Sequence, residues 1–252
     1  MRCNENTAIS TSAVLLVPYD RRHVGQYHGW LEDPAIREAT ASERLTLEEE
    51  YENQESWRAS HDKLTFILCQ PLPPTEPGDA TAVVVPDEAD APARMMGDIN
   101  LFLHPHEEDE DEKGERGGLP ERPRCVGEVD VMIAQEKDRG RGLGKAAVAT
   151  FLHHVLGHAD AILGEYGAAQ KRAGDDDDDG AGPELTMLMA KIHKDNGASI
   201  ALFKGLGFAQ RGGVDYFGEI KLVLCAFETL RESVPPGYRE LVYTGQRTCL
   251  LK

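Results

Sequence analysis

A glycine-rich, basic turn near the middle of this 252-residue chain has the composition of an anion-binding site. It runs Arg139-Gly140-Arg141-Gly142-Leu143-Gly144-Lys145. The segment before it, residues 128–134, is apolar and β-branched at strand length, and the segment after it, residues 143–157, carries apolar residues every four positions. These patterns predict a strand, a tight turn and a helix in that order.

The turn has physical properties that suit phosphate. Glycine has no Cβ, so a ligand can approach the backbone closely. The first N–H groups of a helix have no partner within the helix and lie at its positive dipole end, where anions bind. Arg139, Arg141 and Lys145 add positive charge at the rim. The alternative is that the turn is only a tight connection.

Two common phosphate-binding patterns fit poorly. A P-loop needs glycine where Arg139 stands and Ser or Thr where Ala146 stands. A dinucleotide fingerprint could be aligned on Gly142, Gly144 and Ala147, but more than a hundred residues precede it. The pattern that remains is Arg-x-x-Gly-x-Gly, placed directly after an acidic strand.

A second motif lies downstream in residues 191–208, where Asn196, Ser199, Leu202, Phe203 and Gly207-Phe208 follow the pattern Asn-x-x-Ser-x-x-Leu-(Tyr/Phe)-x-x-x-Gly-Phe. In this order and separation, the two motifs resemble those of the GNAT superfamily of acetyl-CoA-dependent N-acetyltransferases. Segments 40–51, 97–103 and 128–134 are similar to the eukaryotic N-acetyltransferase 9-like branch. The resemblance covers roughly residues 14–224.

The resemblance implies an α/β (α+β) fold, with a mixed, mostly antiparallel sheet that splays between two central strands and is flanked by about four helices. It implies acetyl-CoA as acetyl donor. The cofactor-binding residues that it indicates lie on the splayed strand, in the turn and on the short downstream helix: Met132, Ile133, Arg139, Gly140, Arg141, Gly142, Leu143, Gly144, Lys145, Asn196, Ser199 and Phe203. Backbone N–H groups near Met132 and Ile133 would polarise the thioester carbonyl.

Acetyl transfer requires that the acceptor amine lose a proton, because ammonium groups have pKa values of about 8 to 10.4. By resemblance Glu128 is the first candidate for the general base, acting directly or through water, and Asp130 is the second. Alternation places both on one strand face. The alternative is that either carboxylate pairs with Lys or Arg on a neighbouring strand. Phe203 stands where many relatives carry a tyrosine whose hydroxyl can protonate the thiolate, so three alternatives stay open: Tyr216 replaces it, water replaces it, or the thiolate leaves unassisted.

The acceptor side of the site is predicted in the loop between two helices, at Thr40, Ser42 and Glu43. The alternative for these residues is a solvated acidic loop. Together with Glu48 to Glu50, Glu43 would favour a cationic acceptor. We therefore expect a basic protein or peptide acceptor, with an N-terminal or a lysine amine. Two other functions stay open: a cofactor-binding protein with weak catalysis that acts through a partner surface, and a small-molecule amine acetyltransferase.

Composition limits the other possibilities. The net charge of −17 argues against nucleic acid as a partner. Five scattered cysteines indicate a reducing compartment, so a cytoplasmic location is expected, with the nucleus as the alternative. Residues 1–12 do not resemble a signal peptide, and no apolar run reaches the ~20 residues of a membrane span. His104 and His106 fit no zinc motif, so no metal site is predicted. The oligomeric state stays open.

The expected domain plan is a flexible N-terminus over residues 1–12 and an acetyltransferase domain over residues 13–226. Disordered acidic insertions are expected near residues 70–94, 104–123 and 158–183, the last with five consecutive aspartates. Residues 227–252 are left as a C-terminal tail of unknown role.

Overall fold

A computed structural model of the chain describes residues 1–73, 83–106, 122–170 and 182–244. Its strands are β1 (Thr7–Ser10), β2 (Leu15–Pro18), β3 (Lys63–Cys69), β4 (Val83–Val84), β5 (Met95–Pro105), β6 (Arg124–Ile133), β7 (Glu184–His193), β8 (Ala209–Val214), β9 (Glu219–Leu224) and β10 (Arg239–Tyr243).

Within these described residues the strands form one sheet in the order β4-β10-β1-β2-β3-β5-β6-β7-β9-β8. Neighbours are antiparallel except at β6–β7 and β10–β4. The predicted antiparallel centre is present, since β5 and β6 pair from Gly97 opposite Ile133 to Pro105 opposite Cys125. The predicted mixed, mostly antiparallel fold is confirmed.

The parallel strands β6 and β7 separate along their length. They pair from Arg124 opposite Glu184 to Glu128 opposite Met189, and no pairing continues beyond that point. The last five residues of β6 therefore border a cleft rather than a neighbouring strand. This opening corresponds to the predicted splay.

The helices are α1 (Val24–Leu31), α2 (Pro34–Ala39), α3 (Leu47–Ala59), α4 (Leu143–Gly157), α5 (Ala159–Gln170), α6 (Gly197–Lys204) and α7 (Glu228–Glu232), more than the four expected. A capping box opens α3. Glu49 N–H donates to the Thr46 hydroxyl at 3.3 Å, and Thr46 N–H donates to the Glu49 carboxylate at 2.7 Å.

Two apolar cores cover the two faces of the sheet. On one face α4, α5 and α6 pack on alternate residues of β5, β6 and β7, with Phe66 against Phe151 at 5.9 Å between ring centroids. On the other face α1 and α2 cover the β1–β3 side around Trp30 and Ile36. The second face of β5 and β6 carries the polar residues described below.

The prediction of a flexible N-terminus is wrong. Residues 7–10 form β1 between β2 and β10, and Met1 is buried. The terminal ammonium donates to the Lys63 carbonyl at 2.7 Å. The polar composition of this segment concealed a strand whose Ala8 and Ile9 are buried in the two cores on opposite faces of the sheet.

The predicted C-terminal tail also contributes to the fold, because β10 lies between β1 and β4 and buries Leu241 and Tyr243. Two of the predicted insertions contain regular structure among their described residues: α5 occupies residues 159–170, and β4 and a buried Asp90 lie within residues 83–94. The acidic runs at residues 107–112 and 175–179 lie outside the described residues.

Among the described residues no single helix is long and apolar enough to cross a membrane, and α4 with α5 passes that test only as a pair bent by 72°.

Candidate active site

The first turn of α4 presents unshared N–H groups at the foot of the cleft. Gly142 is the N-cap, in the left-handed region at φ +80, and it provides no side-chain cap. The first helical hydrogen bond runs from Ala146 N–H to the Gly142 carbonyl at 3.0 Å. The N–H groups of Leu143, Gly144 and Lys145 therefore remain free to bind an anion.

The glycines of the turn keep the approach to these N–H groups open. Gly140 and Gly142 both have positive φ, and a Cβ on either would meet no atom within 4 Å. That empty space lies beside the backbone, where a ligand could enter. Gly144 has another role, since a Cβ there would lie 2.8 Å from Leu202 of α6. It lets the two helices pack closely.

The arginines of the turn brace it rather than reach into the cleft. Arg139 donates from its guanidinium to the carbonyls of Ile133 and Ala134, each at 2.9 Å, and so fixes the turn to the end of β6. Arg141 lies 3.3 Å from the buried Asp138 carboxylate. Lys145 is exposed near the helix start, and no ion pair with another described residue holds its ammonium. The turn thus offers main-chain N–H groups with one lysine nearby.

A row of polar residues crosses β5 and β6 on the face that α4 does not cover. In register, Asp98 lies opposite Met132, Asn100 opposite Asp130, and Phe102 opposite Glu128. Because side chains alternate along each strand, these residues share one face. The predicted carboxylates Glu128 and Asp130 therefore lie together beside the cleft.

Asp130 has the properties of a proton acceptor. It keeps an exposed surface, and among the described residues no hydrogen bond or ion pair holds its carboxyl. Partial desolvation by the surrounding protein raises the pKa of Asp130 to about 7, and repulsion from Glu128 and Asp98 adds to the shift. A carboxylate with a pKa near the working pH is well suited to general-base catalysis.

Glu128, the first candidate from the sequence, is held in an ion pair. Its Oε2 lies 2.9 Å from Nζ of Lys191 on β7 and 3.7 Å from Nε2 of His104. Burial alone would lower the pKa of Lys191, but the hydrogen bond and attraction to Glu128 raise it, so the lysine stays charged. Pairing with a lysine on a neighbouring strand was the alternative role for either carboxylate, and in the structure Glu128 has that partner. An acceptor amine would have to displace Lys191 to use that oxygen.

Sequence reasoning assigned no role to Asp98, Asn100 or Tyr27. Asp98 is buried and accepts hydrogen bonds from Asn100 at 2.9 Å and from the Tyr27 hydroxyl at 3.2 Å. Desolvation raises the pKa of Asp98 to about 6, although these hydrogen bonds oppose the rise. The available signal was a pair of polar residues at alternate positions of an otherwise apolar strand.

The assignment of thioester-polarising N–H groups needs a correction at Met132. Ala134 N–H donates to Met96 O at 2.9 Å, and His106 N–H donates to Arg124 O at 2.9 Å. Antiparallel ladders alternate, so the N–H of Met132 is directed to β5 and that of Ile133 to the cleft. The Met132 side chain is buried on the α1 face.

The downstream motif mainly builds α6. Asn196 caps the helix by accepting a hydrogen bond from Ser199 N–H at 3.1 Å. Phe203, predicted as a cofactor-binding residue, is instead buried in the core, where its ring centroid lies 5.1 Å from that of Phe208. Tyr216 is 95% exposed in the β8–β9 turn, where its ring contact within the described part of the chain is with Phe217, so we assign no proton donor for the thiolate.

The predicted acceptor residues lie in an exposed loop between α2 and α3. The hydroxyl oxygens of Thr40 and Ser42 are 2.8 Å apart, and Thr40 also donates to the Ile36 carbonyl at 2.9 Å, which closes α2. Glu43 is exposed. Among the described residues, no hydrogen bond or ion pair joins these three to Glu128 or Asp130, so their substrate role stays a prediction.

Comparison with known proteins gives concordant results. Residues 13–209 match the family described as Acetyltransferase (GNAT) domain. The chain is 36% identical over 222 residues to "Alpha/beta-tubulin-N-acetyltransferase 9" of Drosophila melanogaster, covering 88% of each protein. It is 35% identical over 225 residues to the "N-acetyltransferase 9-like protein" of Caenorhabditis briggsae, covering 89% of this chain and 88% of the relative.

A solved structure shows the same fold. The aminoglycoside acetyltransferase AAC(6')-Ib in complex with coenzyme A superimposes with a TM-score of 0.53 at 17% identity, covering 87% of this chain and all of the other. The family match and the two sequence relatives indicate the same family as the cleft and the free N–H groups of α4. The chain belongs to the GNAT family of N-acetyltransferases, among the N-acetyltransferase 9-like proteins.

Proposed function

We propose that this N-acetyltransferase uses acetyl-CoA to acetylate an amine of a protein, with Asp130 as the proton acceptor. The observation that carries the proposal is the cluster of unshared N–H groups on α4 at one end of a cleft whose wall bears Asp130. The open space at Gly140 and Gly142 fits a diphosphate, and the α4 N–H groups supply donors. The coenzyme A complex of AAC(6')-Ib supports this choice of cofactor.

Bound acetyl-CoA would supply an acetyl thioester in the cleft. The acceptor amine forms the new C–N bond to the acetyl carbon while the C–S bond breaks and sulfur leaves as a thiolate. The acceptor attacks as the neutral amine, after its ammonium form has lost one proton to solvent, and the nitrogen proton released as the C–N bond forms passes to Asp130, whose raised pKa suits that transfer. The N–H of Ile133 is available to the acetyl carbonyl oxygen. Glu128 and Lys191 form the adjacent ion pair that sets the local charge.

The proposed acceptor is a protein amine because two observations favour a cationic, macromolecular substrate. Asp98, Glu128 and Asp130 line one face beside the cleft, which attracts an ammonium group. A relative with 88% coverage of both chains carries the name "Alpha/beta-tubulin-N-acetyltransferase 9". Tubulin is therefore the first acceptor to test.

The test incubates the purified chain and acetyl-CoA with peptides that have a free α-amine, a blocked α-amine plus lysine, or neither. We expect mass spectrometry to show one acetyl group on a peptide of the first or second class, with stoichiometric release of coenzyme A. If coenzyme A binds but neither these peptides nor tubulin is acetylated, the binding-protein alternative replaces this proposal. If only small amines react, the acceptor assignment is wrong.

A further inference from the structure

A group of two histidines and a glutamate lies at the end of α4 remote from the cofactor turn. His154 and His158 are one helical turn apart on α4, and Glu240 comes from β10. His154 Nδ1 is 2.9 Å and His158 Nε2 is 2.8 Å from the same carboxylate oxygen of Glu240. Among the described residues this is the one set of three such side chains whose ligand atoms all lie within 4.8 Å of one another.

We propose that His154, His158 and Glu240 bind a divalent transition-metal ion of the zinc class. Two imidazole nitrogens and one carboxylate oxygen form a donor set that zinc uses in proteins. In a tetrahedral site with bonds of about 2.0 Å, neighbouring ligand atoms lie about 3.3 Å apart. The observed separations from Glu240 are slightly shorter, so small movements outward create room for the ion. Water fills the fourth position.

The surroundings fix some ligands and leave one adjustable. His154 is buried, and its ring packs edge-on against Phe66 at 5.8 Å. The Tyr238 hydroxyl donates to Glu240 at 2.5 Å, which orients the carboxylate as outer hydrogen bonds do at metal sites. His158 is 45% exposed, so its ring can rotate and the ion can enter from solvent.

The site would tie the C-terminal strand to the cofactor helix. Strand β10 pairs with both β1 and β4, while α4 carries the anion-binding turn at its other end. Without an ion, the Glu240 oxygen accepts three hydrogen bonds, from His154, His158 and Tyr238. The ion-free and ion-bound states differ at the two imidazole nitrogens. In the ion-free state these nitrogens donate hydrogen bonds to Glu240, and in the ion-bound state they coordinate the metal ion. A hydrogen-bonded clasp alone is the competing explanation that the experiment must exclude.

The experiment uses the full chain after removal of metal and chelator. Calorimetric titration with Zn²⁺ is expected to show one bound ion per chain, and a hundredfold excess over Kd is expected to raise Tm by about 5–10 °C. Co²⁺ is expected to give the intense visible absorption of a four-coordinate site. The variants His158→Ala and Glu240→Gln should lose both signals. His61→Ala is the matched control, because His61 is also exposed and lies 3.7 Å from a carboxylate.

Loss in both variants with retention in the control supports the site. Absence of stoichiometric binding to the wild-type chain, or a six-coordinate Co²⁺ spectrum, overturns it and leaves the hydrogen-bonded clasp. Binding that persists in either variant also overturns it. The Co²⁺ spectrum of the wild-type chain decides the question even if a variant unfolds.

Discussion

Replacing Asp130 with asparagine tests which of two neighbouring carboxylates takes the proton. Asn has nearly the same shape but cannot accept a proton, and Asp130 has no other bond to lose. General bases contribute about 10²–10⁴-fold, or about 3–5 kcal/mol at 1.36 kcal/mol per decade. We therefore expect Asp130→Asn to lower kcat by at least about a hundredfold. The matched control, Glu128→Gln, should retain most of its kcat because Glu128 is already held by Lys191.

The pH dependence gives a sharper test than the rates alone. The base works when deprotonated, so wild-type kcat/KM should fall by ~10-fold per pH unit below about pH 6. Glu128 raises and Lys191 lowers the pKa of Asp130 through their charges. Glu128→Gln should therefore move the acid limb to lower pH, and Lys191→Met should move it to higher pH. Each profile is measured with the same acceptor peptide, so the titration of the amine cancels.

Stability separates catalysis from unfolding. Since the folded-state pKa of Asp130 is raised, ionisation of this carboxylate disfavours the folded state, and the penalty grows from about pH 4, the unfolded pKa, to about pH 7, the folded pKa. Asp130→Asn lacks the penalty and should unfold at a higher temperature than wild type at pH 8, with little difference at pH 4. An active Asp130→Asn variant with an unchanged pH profile would refute the assignment, and so would an inactive, folded Glu128→Gln variant.

Two further predictions concern the framework. A Cβ at Gly97 would lie 1.8 Å from the Met132 carbonyl oxygen, so Gly97→Ala should destabilise the fold by about 3 kcal/mol or more. The control Gly29→Ala, on a helix with open space around the added methyl group, should be neutral or stabilising. Chemical denaturation measures both variants, and equal stabilities would contradict the β5–β6 register. Burial would raise the pKa of Asp90, but hydrogen bonds, including one of 2.5 Å from the Tyr243 hydroxyl, hold it below its ordinary value. Tyr243→Phe should therefore lower the free energy of unfolding by about 1.5–3 kcal/mol at pH 7. The loss should be smaller as pH falls below about 4, where the carboxylate is protonated. A difference that is the same at both pH values would exclude this role for the buried Asp90 carboxylate.

The parts of the fold that sequence reasoning predicted are those with strong local patterns. The apolar spacing of α4 and the apolar, β-branched run of β6 each depend on residues close in sequence. The glycine-rich turn was predicted for the same reason. The bracing role of Arg139 was not, because its partners are backbone carbonyls that carry no sequence signal.

The errors arise where distant segments meet. Strand β1 is short and polar at its start, and β10 lies more than two hundred residues away, yet the two pair with each other. The choice between Glu128 and Asp130 as general base likewise depends on Lys191, which pairs with Glu128 from the next strand. A single sequence shows that a carboxylate lies on one face of a strand, but the cation that pairs with the carboxylate is known only from the tertiary structure.

The central claim is that the N–H groups of residues 143–145 bind the diphosphate of coenzyme A, and calorimetric titration tests it most directly. Coenzyme A should bind with a measurable heat, whereas pantetheine, which lacks the diphosphate, should bind at least about tenfold more weakly. Gly142→Ala, which places a methyl group in the open space beside these N–H groups at φ +80, should weaken coenzyme A binding, while Gly157→Ala at the far end of α4 should not. Equal affinity for coenzyme A and pantetheine, or unaltered binding by Gly142→Ala, would contradict the account.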